Sequence, residues 1–517
     1  MTKLMKCSRS GGMHAALGLL GLAVALLGDA SPLAGAEALS TNALPRRPIT
    51  LQDCLDLALA ENLDLRIERI NPPLRQLDLE LAKAGYDPLF QFSATHRYQE
   101  FGGGGAAVTN LFTTNFVAGP DGVNRSDTFS SGINGLGPYG LTYGLSGNVV
   151  DRYGSAGGAV DLTLTQPLLR DFLVDNTRFS IAVARNRIQF SDLGLRQQII
   201  TVITAVEQAY YDLIFAQEDV RVKQEGLRLA ERLAADDRKR VQIGMIPRLD
   251  EKQSESQVAA RQSELISALG AQGTAQNSLK KLITSDYRTL HQVYLEPTLV
   301  LTAGKPELNV QDSWEKGLAE RPDLKQARLD IERQGITLKY YKNQRLPALD
   351  IGGSYGHGAS GALTREYSDA FNDLGRGSHP NWSLGATFGI PLGNKAARER
   401  YRQGRMTAEQ LVLTLKKKEE SVLVEIDEAA KGVRTSYERV QSTLQARTYA
   451  EEALNAEQKK LDSGKSTSFV VLQLQRDLTS ARSEEIRALS DYNKAQAELN
   501  RAEGTTLDKK KITLEVK

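Results

Sequence analysis

The chain has only two cysteines and two tryptophans in 517 residues, and aromatic residues make up 6% of it. One cysteine, Cys7, falls in the first ten residues, so Cys54 has no partner for an intramolecular disulfide once that segment is removed. Charge of one sign is also missing: 65 Lys and Arg face 63 Asp and Glu. With no basic excess, no nucleic-acid partner is expected. Beyond the N-terminus no run approaches the roughly 20 apolar residues of a spanning helix. The five histidines, His14, His96, His291, His357 and His379, show no metal-ligand spacing. Gly464-Lys465-Ser466 looks like the end of a phosphate loop, but Lys459 stands where that loop needs glycine and no strand precedes it. No nucleophile elbow or Cys/His pair is present. Catalytic, metal and cofactor sites are therefore not expected.

The start of the chain reads as an export signal. Lys3, Lys6 and Arg9 precede an apolar run from Ala15 to Gly28, and Ala34-Gly35-Ala36 supplies small residues for cleavage after Ala36. Loss of residues 1–36 removes three bases and one acid, which leaves 62 of each sign. Cys7 lies before the apolar run, where it cannot act as a lipobox cysteine. Residues 37–48 form an N-terminal extended segment.

The remainder repeats itself. Ala60-Glu61-Asn62-Leu63-Asp64-Leu65 aligns with Ala319-Glu320-Arg321-Pro322-Asp323-Leu324 at an offset of 259, which also brings Pro88 onto Pro347. Gln166-Pro167-Leu168 matches Ile390-Pro391-Leu392 at 224; Val206, Ala209, Leu213 and Gly244 match Ile426, Ala429, Val433 and Gly464 at 220. Ordered blocks of this kind mark a duplicated unit. The units span residues 49–283 and 307–504, joined by a linker at 284–306 and followed by a tail at 505–517. The fall from 259 to 224 gives the first copy 35 extra residues, in the Gly-rich stretch Gly102 to Gly158, a composition that reads as loop.

Each unit opens with a helix of about 25 residues, starting at Leu51 and near Asp312. Alternation follows. Phe90 and Phe92 alternate with Gln91 and Ser93; Trp382, Leu384 and Phe388 alternate with Ser383, Gly385 and Thr387. Leu141, Tyr143 and Leu145 extend the pattern in the first copy. Period two gives each strand one apolar and one polar face. The expectation is a β-hairpin at about 88–168 and another at about 347–391, with Phe90, Phe92, Trp382, Leu384 and Phe388 facing lipid. Long helical hairpins follow at about 177–282 and 396–502. Within the first, apolar or small residues recur every three or four positions from Ile199 to Val241, broken by Lys223 and Asp237. A helix of about 65 residues is roughly 100 Å long, more than a globular domain needs. Asp236 and Asp237, beside Arg238, Lys239 and Arg240, read as an exposed face. The fold class is α+β, mainly α: a duplicated strand–helix–helix repeat with four strands per chain. Four strands cannot seal a membrane barrel, whose minimum is about eight, so copies must share the wall.

At this point the chain resembles the TolC-type outer membrane efflux protein family (outer membrane factors). The resemblance runs from about Ile49 to Gly504. It rests on the duplicated plan and on Leu51-Gln52-Asp53-Cys54-Leu55, Thr165-Gln166-Pro167-Leu168-Leu169-Arg170 and Gly389-Ile390-Pro391-Leu392. It implies a homotrimer with a 12-stranded barrel in outer-membrane lipid and a periplasmic helical tunnel. It also implies a periplasmic adaptor (membrane fusion) protein and an inner-membrane pump of RND, ABC or MFS type as partners. The resemblance assigns adaptor contact to Gly244, Met245, Ile246 and Pro247 at one tip and Gly464, Lys465, Ser466 and Thr467 at the other. It assigns the periplasmic entrance to Asp250, Val470 and Gln473. Well-known members carry aspartates where Val470 and Gln473 stand, and a tyrosine and an arginine where Leu461 and Ser466 stand. The expected function is an exit duct of a tripartite efflux pump or type I secretion system that conducts passively. Two rivals are a periplasmic coiled-coil scaffold or adaptor without a barrel, and an extracytoplasmic hydrolase.

Overall fold

The computed structural model describes residues 45–100, 123–152, 155–359 and 367–512. The expected signal segment, residues 37–44 and the last five residues of the tail lie outside them.

Strand β1 (Arg46–Ile49) leads into α1 (Leu51–Glu61). Thr50 caps that helix in a reciprocal box with Asp53. Short α2 (Leu63–Glu68) and α3 (Asn71–Lys83) complete the opening segment. Four strands follow: β2 (Leu89–Glu100), β3 (Val123–Leu136), β4 (Thr142–Arg152) and β5 (Ser155–Pro167). Helix α4 (Asn176–Gln242) has 67 residues and returns through α5 (Arg248–Ile283). The linker holds α6 (Tyr287–Leu290) and β6 (Tyr294–Pro297). The second copy comprises α7 (Val310–Glu320), α8 (Pro322–Asn343), β7 (Ala348–Ala359), α9 (Tyr367–Gly375), β8 (Pro380–Gly389), α10 (Lys395–Asp462) and α11 (Ser468–Glu503). Short α12 (Thr506–Lys509) ends the described chain.

The rods α4 and α10 run unbroken from Asn176 to Gln242 and from Lys395 to Asp462. The opening helices do not: each is broken where the repeats align. Asn62 leaves helical geometry and caps α2; Arg321 does so before Pro322, whose missing N–H suits the first helical turn. The breaks share one kind of long-range hydrogen bond. Asn62 Nδ2 donates to the Leu282 carbonyl at 2.9 Å, and an Arg321 guanidinium nitrogen donates to the Ala502 carbonyl at 3.2 Å. Leu282 and Ala502 are themselves repeat partners, so the duplication extends to hydrogen bonding. Leu65 and Leu324, one turn on, are both fully buried.

The strand count differs from expectation. Four strands per chain were expected; among the described residues one antiparallel sheet holds six, in the order β2-β3-β4-β5-β7-β8. Three copies therefore no longer add to twelve. The extra pair, β3 and β4, lies in the Gly-rich stretch that reads as loop. Gly132, Ser146 and Asn148 lie in its ladder on the polar face, and small polar residues on one strand surface imitate loop composition.

The largest core lies along the middle of α4, where Ile199, Ile203, Val206, Tyr210 and Leu213 pack on Ile49, Leu55, Leu279 and Leu295. α4 contains one stretch apolar enough to cross a membrane by composition, but 72% of that stretch is buried in the protein. It is core. A smaller core joins Leu324 to Val422, Ile426, Tyr492 and Leu499.

Candidate functional site

The sheet is two-faced across its whole width. Residues in register across neighbouring strands share a face. One such row reads Phe90, Ile133, Leu145, Leu162, Tyr355 and Trp382. The adjacent row, one residue along each strand, reads Gln91, Gly132, Ser146, Asp161, Gly356 and Asn381. Phe92, Leu384 and Phe388 fall on the apolar face by the same period. All five expected lipid-facing residues thus lie on one surface, and each is more than 60% exposed in the single chain. On the polar face hydroxyls meet across strands: Ser93 and Ser130 at 2.8 Å, Ser354 and Ser383 at 2.7 Å.

Helix α9 lies against the apolar face at the far end of the sheet from the rods. Ala370 and Leu374 pack there on Val149, Ala156 and Ala359. The alternation of single strands gave no sign of this helix.

At the opposite end of the rods both hairpins reverse by the same device. Gly244 and Gly464 have φ of 74° and 70°, a region that favours glycine. Met245 N–H donates to the Arg240 carbonyl at 2.8 Å and Lys465 N–H to the Lys460 carbonyl at 2.9 Å, while each glycine N–H bonds one residue further on, to Val241 and Leu461. This is the Schellman closure of a helix. Both glycines have open space around them. The tip residues Met245, Pro247, Lys465 and Thr467 are exposed; Ile246 and Ser466 are half-buried. Ile243, Leu249 and Phe469 add exposed apolar surface.

Of the expected entrance residues, Asp250 occupies the first turn of α5 and is half-buried. Val470 and Gln473 are exposed on α11. Gln473 lines a groove of about 270 Å³ between α5 and α11, with Lys252, Gln253, Ser256 and Phe469. Some charges near the tips are paired. Glu255, bonded by Lys252 and Arg238, is held ionised below the usual carboxylate range. Glu457 is held low in the same way by Ser466 and Lys460.

Asp237 is not on an exposed face, as its basic neighbours had implied. Asp236 points to solvent, whereas Asp237 is fully buried. Its carboxylate accepts from Ser254 Oγ at 2.5 Å and Ser468 Oγ at 2.6 Å, which joins α4 to both α5 and α11. Its interruption of the apolar stripe was the available signal. In the sequence Arg321 stands out only as a repeat position. It pairs with Asp323 at 2.9 Å and Glu425 at 2.6 Å, and Glu425 also meets Arg501.

Among the described residues no group of His, Cys, Asp or Glu could hold a metal ion. Burial pushes the Cys54 thiol up to about 12, which leaves it a poor nucleophile.

A two-faced antiparallel sheet carried on rods of this length defines a class: channel walls that continue as helical tunnels. The model of the family described as outer membrane efflux protein matches residues 54–285 and 315–505, and the chain belongs to that family. It is an outer-membrane efflux channel, and its family is one of channels rather than enzymes. Solved structures share the fold at low identity. The Campylobacter jejuni CmeC outer membrane channel has a TM-score of 0.66 at 16% identity, over 88% of this chain and 86% of that one. VceC from Vibrio cholerae gives 0.66 at 16%, over 88% and 96%. The open state of the Neisseria gonorrhoeae MtrE channel gives 0.61 at 16%, over 88% and 89%. No curated protein matches the sequence.

Proposed function

We propose that three copies of the chain assemble into one continuous water-filled duct across the outer membrane and periplasm. It conducts passively, and an inner-membrane pump of RND, ABC or MFS type supplies energy and substrate choice. A periplasmic adaptor protein meets the tips at Gly244–Pro247 and Gly464–Thr467.

The observation that carries this reading is an apolar face whose row from Phe90 to Trp382 crosses all six strands, joined to rods of roughly 100 Å. Such a face needs lipid or a dry core, and among the described residues only α9 covers any of it. Its polar counterpart supplies the wet lining of a pore. A soluble coiled-coil scaffold would leave the apolar face without a partner. The exposed glycine turns and their apolar flanks support the docking assignment, since small residues leave backbone and room for a partner helix.

Reconstitution of detergent-extracted protein in planar bilayers tests the duct. Discrete conductance steps are expected. Correctly assembled particles that never conduct would remove it. Partner assignment is tested separately, by crosslinking from the tips to a co-expressed adaptor.

A further inference from the structure

Four strands per copy would suit a twelve-stranded wall, yet this sheet has six. Four observations place β3 and β4 in the wall rather than in a surface loop. First, they have 14 and 11 residues, as long as the neighbouring strands of 10 to 13. A membrane strand needs about 9–11 residues. Second, they sit in the middle of the ladder, with β2 on one side and β5 on the other. Removing them from the wall would break twenty-odd residue pairings. Third, Ile133 and Leu145 continue the apolar row of Phe90, Leu162, Tyr355 and Trp382 without a gap. Fourth, the outermost strands, β2 and β8, are the ones left with a free edge.

Those two edges fit each other. All five pairings in the sheet are antiparallel, so β2 and β8 run in opposite directions. β8 of one copy can therefore continue the antiparallel ladder onto β2 of the next. An open edge is not tolerated in lipid, which makes this pairing obligatory for a membrane wall.

The arc widths also agree. Strands about 4.8 Å apart and tilted about 40° occupy roughly 6.3 Å of circumference each, so six span about 38 Å. Each copy supplies four helical columns to the proposed tunnel: α4, α10, and the shorter α5 and α11, whose ends at Leu282 and Ala502 bond the breaks that lead into α2–α3 and α8, with α3 and α8 packed on the rods beyond them. At about 9–10 Å per column these span about 36–40 Å. Four strands at the same tilt would span only about 25 Å and would narrow the duct at the membrane.

We propose that the extra hairpin widens the membrane pore: three copies of six strands close an 18-stranded barrel through β8–β2 contacts between copies, with a bore matched to the helical tunnel. The step rests on the trimeric duct proposed above. A barrel of this size has a backbone diameter of about 36 Å, against about 24 Å for twelve strands of equal tilt. The outer mouth is then not the narrow point of the duct, and solutes as wide as the tunnel pass.

The test uses the full-length protein in nanodiscs. Phe92→Cys is paired in turn with Leu384→Cys, Ala386→Cys and Phe388→Cys; native Cys54 is buried and does not compete. At least one pair is expected to give oxidised species at two and three times the chain mass. Particle images of the unmodified protein are expected to show eighteen strands in cross-section. Twelve strands with β3–β4 outside the wall, or no bond from any pair in a trimer that still conducts, overturns the wide barrel and leaves the duct standing. Absence of both trimer and conductance overturns the duct as well.

Discussion

Ser468, the first residue of α11, donates its hydroxyl to the Asp237 carboxylate of α4 across 2.6 Å, and both residues are buried. Ser254 of α5 bonds the second oxygen. One acid therefore pins the first helical hairpin to the second near their tips. Replacing Asp237 with Ala leaves two buried hydroxyls without an acceptor, at a cost of about 1–3 kcal/mol each. Faster amide exchange at the start of α11 is expected, with the trimer intact. Exchange rates equal to those of the parent protein would remove Asp237 as a latch.

The glycine turns are stiff points with a defined tolerance. Gly244→Asp and Gly464→Asp place a side chain where φ is positive, which costs on the order of 1 kcal/mol, and add charge to the exposed tip. Adaptor crosslinking is expected to fall several-fold while assembly on gels stays unchanged. Crosslinking at the parental level would take the tips off the docking surface.

The two sheet faces predict opposite responses to one substitution. In the proposed duct Leu384→Arg places a charge on the lipid side, where it is expected to cost about 2–4 kcal/mol near the bilayer midplane. Ser383→Arg, its neighbour on the wet side, is expected to assemble normally and shift conduction toward anions. Measured yields of folded trimer in vesicles and reversal potentials separate the two. Equal loss from both variants would contradict the assignment of faces.

Acid loosens the tips only at low pH. Glu255 and Glu457 have folded-state pKa values below the ordinary 4.5 because lysine, arginine and serine groups bond their carboxylates. A lowered pKa means that the stabilisation is complete above the unfolded value and is lost as pH falls through the folded one. Tip exchange rates corrected for intrinsic chemistry are thus expected to match at pH 8 and pH 5.5 and to rise below about pH 4. A transition near neutrality would point to another group.

Much of this architecture was legible in residue order. Repeat offsets located both rods, both glycine turns and both entry prolines, because long helices without proline and period-two strands leave strong one-dimensional signals. β3 and β4 were missed because a pore-facing strand is built from the residues that also build loops: Ser126, Ser130, Gly132 and Asn134 are spaced by apolar partners only at Phe129 and Ile133. The breaks at Asn62 and Arg321 were read through because each lasts one residue. Asp237 was visible as an interruption, but its partners come from α5 and from α11, 231 residues away, and no local pattern encodes that distance. The tip glycines are visible in sequence as chain reversals; that both close with the same hydrogen bonds is a property of backbone geometry that residue order does not display.

The short parallel pairing of β1 with β6 has its own meaning for the assembled particle. Tyr210, which holds Ile49 through its hydroxyl at 3.1 Å, stands midway along α4. The leading segment is thereby tied to the inter-repeat connection at the waist of the column, about 50 Å from the hairpin ends. A fluorophore placed at Arg46 would ride on that waist, clear of either mouth, and would report on the middle of the column.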